Sequence, residues 1–408
     1  MTVSSRLPLR YLAGSYLARL AEEGVAVAVA LLAVQRTGEV DVAAVLMAAW
    51  LMPHIVAAPL VGAMAARFVH PVRFYATALI VFATAVAGLT AAVGNIPLWA
   101  NVVVASVGGA CGPIVAGGLS SLVAELVRED GRDRGYALDA AVYNAAAVTG
   151  PAVAAGVAVV FPAQAAGYLL AVSAALGGAL LAGLPAESKS PSGGPLLSAL
   201  SVGFTAMWRR RVLRAVTVAT GVAYLGVGGL TLVAVTMADR WDDPALGGAL
   251  ATCFAAGAVT GALVVARLRP PWSAERLAMV SLAVTGIGLL LAAWTPWFWF
   301  TAMMFVMAGF GDGPLLSATF HVRAAQTTRE DRAQVFTTGA AVKISAAALG
   351  AALVGAVPVS AGIFLTWIAV LQFGAAGLLW LMMPRWSRRG IAADPAFAQG
   401  APDAGCET

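Results

Sequence analysis

The sequence predicts an all-α integral membrane protein with twelve transmembrane helices in two parallel-repeat six-helix bundles. Three observations carry this reading. Apolar stretches long enough to cross a bilayer, which takes about 20 residues, recur twelve times along the 408 residues. Basic residues crowd onto alternate connecting segments. Landmarks of the first half return about 200 residues later in the second.

The spans fall at 10–34, 43–66, 74–95, 98–122, 137–160 and 163–184, then at 212–237, 246–266, 277–295, 298–320, 335–357 and 360–383. Several are rich in Gly and Ala, which lets helices approach closely in lipid. The first is too long for a signal-peptide core and lacks a cleavage pattern, so it is expected to remain as a span. Composition agrees. The 11% of charged residues is less than half the roughly 25% of a soluble globule, so most of the surface faces lipid. Between the sixth and seventh spans lies Pro185–Pro195, PAESKSPSGGP, a Ser/Pro/Gly run that reads as a linker. Leu196–Arg214 follows, with apolar residues leading into Arg209, Arg210, Arg211 and Arg214. It reads as an interfacial helix feeding span seven. The chain divides into an N-terminal bundle (1–184), a linker with the interfacial helix (185–211), a C-terminal bundle (212–383) and a tail expected to be disordered (384–408).

With the N-terminus inside, nearly every cation outside the spans lies inside, from Arg6 and Arg10 through Arg323 to Arg385, Arg388 and Arg389; only Arg36 and Arg240 lie outside. That is the positive-inside asymmetry, and one miscounted helix would scramble it. It predicts a multi-pass protein of the cell membrane with both termini cytoplasmic. The net charge of +5 therefore reports orientation and contact with anionic lipid, not a nucleic-acid partner. Trp99, Trp241, Trp294, Trp297 and Trp299 fall at outer ends, and Trp208, Trp272 and Trp386 at inner ends, as aromatic belts do. Cys111, Cys253 and Cys406 form neither a disulfide framework nor a metal spacing, so no metal site is expected.

Ala66-Arg67 and Pro71 recur as Ala266-Arg267 and Pro271, an offset of 200. Gly112-Pro113 followed by Arg128-Glu129-Asp130 recurs as Gly313-Pro314 followed by Arg329-Glu330-Asp331, an offset of 201. An even number of helices per half makes the halves point the same way, a parallel repeat known in transporters. In helix count, topology, repeat and central loop the chain resembles the major facilitator superfamily over nearly its whole length. In that family the loop between spans two and three carries a Gly, then an Asp-Arg pair. Here it reads Gly62-Ala63-Met64-Ala65-Ala66-Arg67, with Ala66 in place of the Asp and the same loss at Ala266 before Arg267. The Arg that the family's drug/proton antiporters place in span four, four residues before a Gly, is Val104 here. Gly150-Pro151 with Ala154, Ala155 and Gly156 partly matches their span-five pattern. Gly112-Pro113, Gly150-Pro151 and Gly313-Pro314 are candidate hinge or gating points, because proline frees a carbonyl and loosens its helix.

Five charges lie inside apolar spans: Arg19, Glu22, Glu23, Asp312 and Lys343. A mid-membrane lysine costs about 2.5–3.5 kcal/mol on insertion scales, which marks it as functional by default. Glu22 and Glu23 point about 100° apart, and Arg19 is within helical pairing reach of both. One Glu can be neutralised by Arg19 while the other faces a cavity, and the residues do not choose between them. A poorly hydrated carboxylate can titrate near neutral pH, as a proton-coupling group or a counter-ion for a cationic substrate must. The alternative is an Arg–Glu cluster that only locks span one to its neighbours. Asp312 and Lys343 lie roughly 12–15 Å deep on sequential antiparallel spans and are expected to pair, as a switch beside Pro314 or as a static register device. His54, near the middle of span two, can relay protons or be satisfied by a nearby carbonyl or hydroxyl. Trp50, one turn earlier, can stack on a flat or cationic substrate or simply pack. Asp139 and Asn144 open span five, where Asp139 is expected to complement the helix dipole. The charged runs at 128–134 and 329–332 gate the inner mouth or are plain solvated loops.

No H-E-x-x-H, G-x-S-x-G or G-x-x-x-x-G-K-[ST] pattern occurs. The sequence therefore points away from an enzyme, a cofactor or direct ATP coupling, and uphill work would draw on a proton or other ion gradient. The expected function is secondary active transport by alternating access: proton-coupled efflux of a small organic molecule, a drug or metabolite, by a monomer in the lipid bilayer. An importer or uniporter of a small nutrient on the same fold stays open, as does a non-transporting membrane sensor or scaffold. A membrane enzyme would have to build its dyad from the same few charges.

Overall fold

A chain in lipid must satisfy its backbone groups within each span, so helices are the expected solution. The computed structural model describes residues 6–68, 70–185, 204–243, 245–268, 270–328, 330–357 and 359–383. Its first half contains α1 (Leu9–Thr37), α2 (Val40–Ala65), α3 (Pro71–Ala92), α4 (Leu98–Leu126), α5 (Arg132–Val160) and α6 (Ala163–Ala182). The second contains α7 (Arg211–Trp241), α8 (Ala245–Leu268), α9 (Ala274–Ala293), α10 (Phe298–Ala325), α11 (Arg332–Ala356) and α12 (Ala361–Met382). Among the described residues ten helices are long and apolar enough to cross a bilayer, and α2 qualifies as a bent pair. The remaining helix, α1, has the length, 29 residues, but carries Arg19, Glu22 and Glu23 at its centre. Most of the expected linker and interfacial helix, and the tail from 384, lie outside the described residues; 204–209 form a short helix.

The irregularities have local causes. α2 bends by 45° between Asp41–His54 and Val56–Ala65, where Pro59 cannot donate to the carbonyl four residues back. α4 passes through a π turn at Ile114–Gly118, directly after Pro113. The matching Gly313-Pro314 leaves α10 helical from Phe298 to Ala325. The sequence repeat is thus not a repeat of backbone geometry.

Within the first half α1 packs on α5 and α6, α3 on α6, and α2 on α4. Within the second α10 packs on α8 and α9, and α12 on α7 and α9. Small residues allow this. Added Cβ atoms on Gly257, Gly261, Gly309 and Gly313 would each overlap a carbonyl oxygen across the α8–α10 contact. The halves meet through α2 against α11, and through α5 against α8 and α10.

Arg10, Arg128, Arg132, Arg211, Arg267 and Arg332 mark one end of the bundle as basic. There a single buried apolar cluster takes Tyr11, Leu119 and Tyr136 from the first half and Leu316, Phe320 and Phe336 from the second. Toward the opposite end each half closes on its own cluster, and a cavity separates them. The bundle is closed at the basic end and open at the other. Trp99, Trp294, Trp297 and Trp299 are exposed around the open end, and Trp208 and Trp272 around the basic end. Trp241 instead donates its indole N–H to the Pro296 carbonyl at 2.8 Å.

Candidate functional site

Gly24 and Gly150 face each other across α1 and α5; a Cβ on either would stand 2.8 Å from a backbone oxygen. That close approach brings Arg19 to Asp139. Nη1 of Arg19 donates to Asp139 Oδ1 at 2.7 Å and Nη2 to Ser120 Oγ at 2.9 Å. Asp139 also accepts from the Tyr11 hydroxyl at 2.8 Å and from Ser120 Oγ at 2.6 Å. The two charged side chains are 1% and 0% exposed, so they form a sealed ion pair. Two expectations are corrected. Arg19 neutralises neither Glu22 nor Glu23, because Asp139 offers both carboxylate oxygens from the neighbouring helix. Asp139 does not cap a dipole, because α5 begins at Arg132 and Asp139 lies two turns inside.

Glu22 has a different partner. His54 Nε2 lies 3.0 Å from Glu22 Oε1, and His54 Nδ1 lies 3.2 Å from the Trp50 carbonyl. Both partners are acceptors, so the arrangement is satisfied by a doubly protonated ring or by a neutral ring facing a protonated Glu22. Either way the pair holds one exchangeable proton. Gly112 makes room for it: a Cβ there would overlap His54 Nε2 and reach within 2.8 Å of Glu22 Oε1. Trp50 is buried and packs edge-on against Phe82, centroids 5.3 Å apart. With Glu22, Glu23 and His54 it lines a side pocket of about 180 Å³.

The main cavity, about 640 Å³, runs from mid-depth toward the open end. Glu23 and Tyr143 of the first half and Tyr224, Asp312 and Lys343 of the second line it, and Pro151 stands in its wall. Glu23 also borders the side pocket and makes no hydrogen bond or ion pair among the described residues. Lys343 Nζ lies 4.4 Å from the Tyr143 ring centroid and 4.7 Å from that of Tyr224. The expected Asp312–Lys343 ion pair is absent. α10 and α11 are sequential but scarcely touch, since α11 packs on α7 and α2. Tyr224 of α7 connects the two charges instead: its hydroxyl points to Asp312 Oδ2 at 3.4 Å, and its ring carries the lysine.

The basic end is closed by contacts between the halves. Glu125 pairs with Arg332 at 2.7 Å and Asp133 with His321 at 2.5 Å. Of the charged runs, Arg128 and Asp130 pair with each other, 3.1 Å apart and exposed. Gly62 seats on the backbone of Gln334, and Gly117 on the carbonyl of Phe336; a Cβ at either would collide. Gly62, expected in the loop motif, lies inside α2 and serves the α2–α11 contact. Arg67 follows α2 in a turn, and Arg267 is exposed in the last turn of α8.

Sequence reasoning did not single out Tyr11, Ser120, Tyr143, Tyr224 or Arg323. Tyr143 and Tyr224 carried a signal: they sit at mid-helix in α5 and α7, whereas most tryptophans gather near helix ends. Arg323 reads as a loop charge, yet α10 continues past it and leaves it 2% exposed.

Paired six-helix halves around a cavity that is open at one end, with ionisable groups at mid-depth, define a membrane transport protein. The chain belongs to the major facilitator superfamily, whose family model matches residues 12–228. Solved structures share the fold. The human organic anion transporter MFSD10 (TETRAN) superposes with a TM-score of 0.70 at 16% identity, covering 92% of this chain and 99% of that one. A bacterial homologue of the iron transporter ferroportin, in its outward-facing state, gives 0.71 at 15%, covering 93% and 100%. The E. coli fucose:proton symporter gives 0.66 at 13%, covering 93% and 100%. No curated protein matches the chain by sequence.

Proposed function

We propose that the protein is a proton-coupled exporter of a small organic molecule, seated in the cell membrane as a monomer with the basic end and both termini in the cytoplasm. The observation that carries this reading is the mid-depth cavity in which Glu23, without a hydrogen bond among the described residues, shares a wall with Asp312 and Lys343 of the other half. The orientation follows from the basic end and makes the present state outward-open. Glu23 then takes a proton from outside as substrate leaves, the bundles rock about the midplane, and the proton is released at the basic end. The charge balance at Glu23 is set by Glu22 and Arg19 on α1, His54 on α2, Tyr143 on α5 and Lys343 on α11. Pro113 with its π turn, and Pro151 in the cavity wall, are the proposed hinges; Gly112, Gly150 and Gly313 act beside them as close contacts. The energy source is a proton or other ion gradient, without a cofactor.

A thermal-shift screen of small organic molecules at two pH values, followed by vesicle transport of each hit, tests the reading. A proton gradient should drive efflux by the unmodified chain. Glu23→Gln should lose that drive while Glu22→Gln keeps part of it. Full proton coupling in Glu23→Gln removes the assignment.

A further inference from the structure

Lys343 is an ammonium held between two aromatic rings. At 4.4 and 4.7 Å from the Tyr143 and Tyr224 centroids, it is within the roughly 6 Å over which a ring face attracts a cation. It forms no ion pair among the described residues, although two carboxylates, Glu23 and Asp312, line the same cavity. One ring comes from each half: Tyr143 from α5 and Tyr224 from α7.

We propose that Tyr143 and Tyr224 form a recognition cleft for an organic monocation, and that Lys343 is a tethered occupant which the incoming ligand displaces. The assignment deepens the functional reading above and rests on this cavity being the transport site. Three features fix the ligand class. The cleft already holds an ammonium, so its geometry suits one. Carboxylates outnumber the cation on the cavity wall two to one, so an anion approaching Lys343 meets repulsion from both. The wall toward the open end is apolar, with Val148, Val227 and Phe254, which suits a hydrocarbon or aromatic tail behind the charged head. Once displaced, the lysine has a flexible four-carbon stem and two carboxylates within the cavity to receive it. The ligand's charge is thus taken up by a site whose former occupant moves onto Asp312 or Glu23, and the cavity's total charge rises by that of the ligand alone.

The test uses benzyltrimethylammonium, with neopentylbenzene as its uncharged isostere, on the purified full chain at equilibrium without any gradient. Removing the tethered competitor in Lys343→Gln should tighten benzyltrimethylammonium binding by about tenfold and leave neopentylbenzene unchanged, and adding Tyr143→Leu should reverse the gain. Binding in Lys343→Gln that is equal to or weaker than in the unmodified chain overturns the proposal, as does an equal gain for the uncharged isostere. A second measurement does not depend on that variant folding. The chain has two lysines, Lys189 and Lys343, so Lys189→Arg leaves Lys343 as the sole side-chain amine. Benzyltrimethylammonium should speed its reductive methylation; unchanged labelling, or protection from it, overturns the proposal. These readouts involve no proton movement. Loss of proton coupling at Glu23 and loss of the cleft are therefore separate failures.

Discussion

The two halves treat buried charge in opposite ways. In the first, Arg19 and Asp139 are locked together with Ser120 and Tyr11, and Glu22 is held by His54; only Glu23 is left over. In the second, Asp312, Arg323 and Lys343 have no ion-pair partner among the described residues. Arg323 is 2% exposed, its Nε has no acceptor among the described residues, and a Cβ at Gly339 would stand 2.5 Å from its guanidinium carbon. A sealed pair costs much to break and fixes two helices in one arrangement. An unpaired buried charge is costly to hold. The contrast separates a half whose mid-depth charges are mostly locked in pairs from one whose mid-depth charges have no ion pair among the described residues.

Breaking the sealed pair should give the largest effect. Asp139→Ala strands Arg19 and is expected to cost about 3–5 kcal/mol of stability, read as a large fall in thermal unfolding temperature. Asp312→Asn, which removes a charge without an ion pair among the described residues, should leave that temperature unchanged or raise it. Equal falls in both variants would erase the distinction between the halves. A middle-sized effect sharpens it at the repeated Gly-Pro pair. Gly313→Ala forces a Cβ onto the Ala258 carbonyl, whereas Gly112→Ala meets the end of the His54 side chain. The first should cost about 1–3 kcal/mol, as overpacking does, and the second less, because an imidazole can turn away and a backbone cannot. The reverse order of melting temperatures would contradict that reasoning. A comparable effect belongs to the contact between halves. Arg332 and Glu125 are only 10% and 12% exposed, so Glu125→Gln or Arg332→Gln should each lower stability by about 1–3 kcal/mol. Exchanging the two as Glu125→Arg with Arg332→Glu should restore most of it, and a double-mutant cycle with no coupling would show the pair idle.

Much of the architecture was legible in the residues. Long apolar runs and arginines on alternate loops fixed the helix count and the parallel halves, because hydrophobic length and charge sidedness are properties of the chain alone. Partner choice was not. Arg19 has glutamates three and four residues away, yet binds an aspartate 120 residues distant, since helical spacing states which groups are within reach and not which geometry is best. The same gap explains Asp312 and Lys343: sequential helices are usual neighbours, but α7 packs on α11 and supplies the tyrosine between them. Arg323 was misread for a simpler reason, the placement of one helix end five residues early.

At the basic end, Gly62 and Gly117 bring main chain directly onto α11. A joint of this kind has no rotamers through which to loosen by degrees. It is either seated or parted, and the door it forms cannot stand ajar. A membrane transport protein gains from such a latch, since every moment of partial opening would let solutes leak across the bilayer.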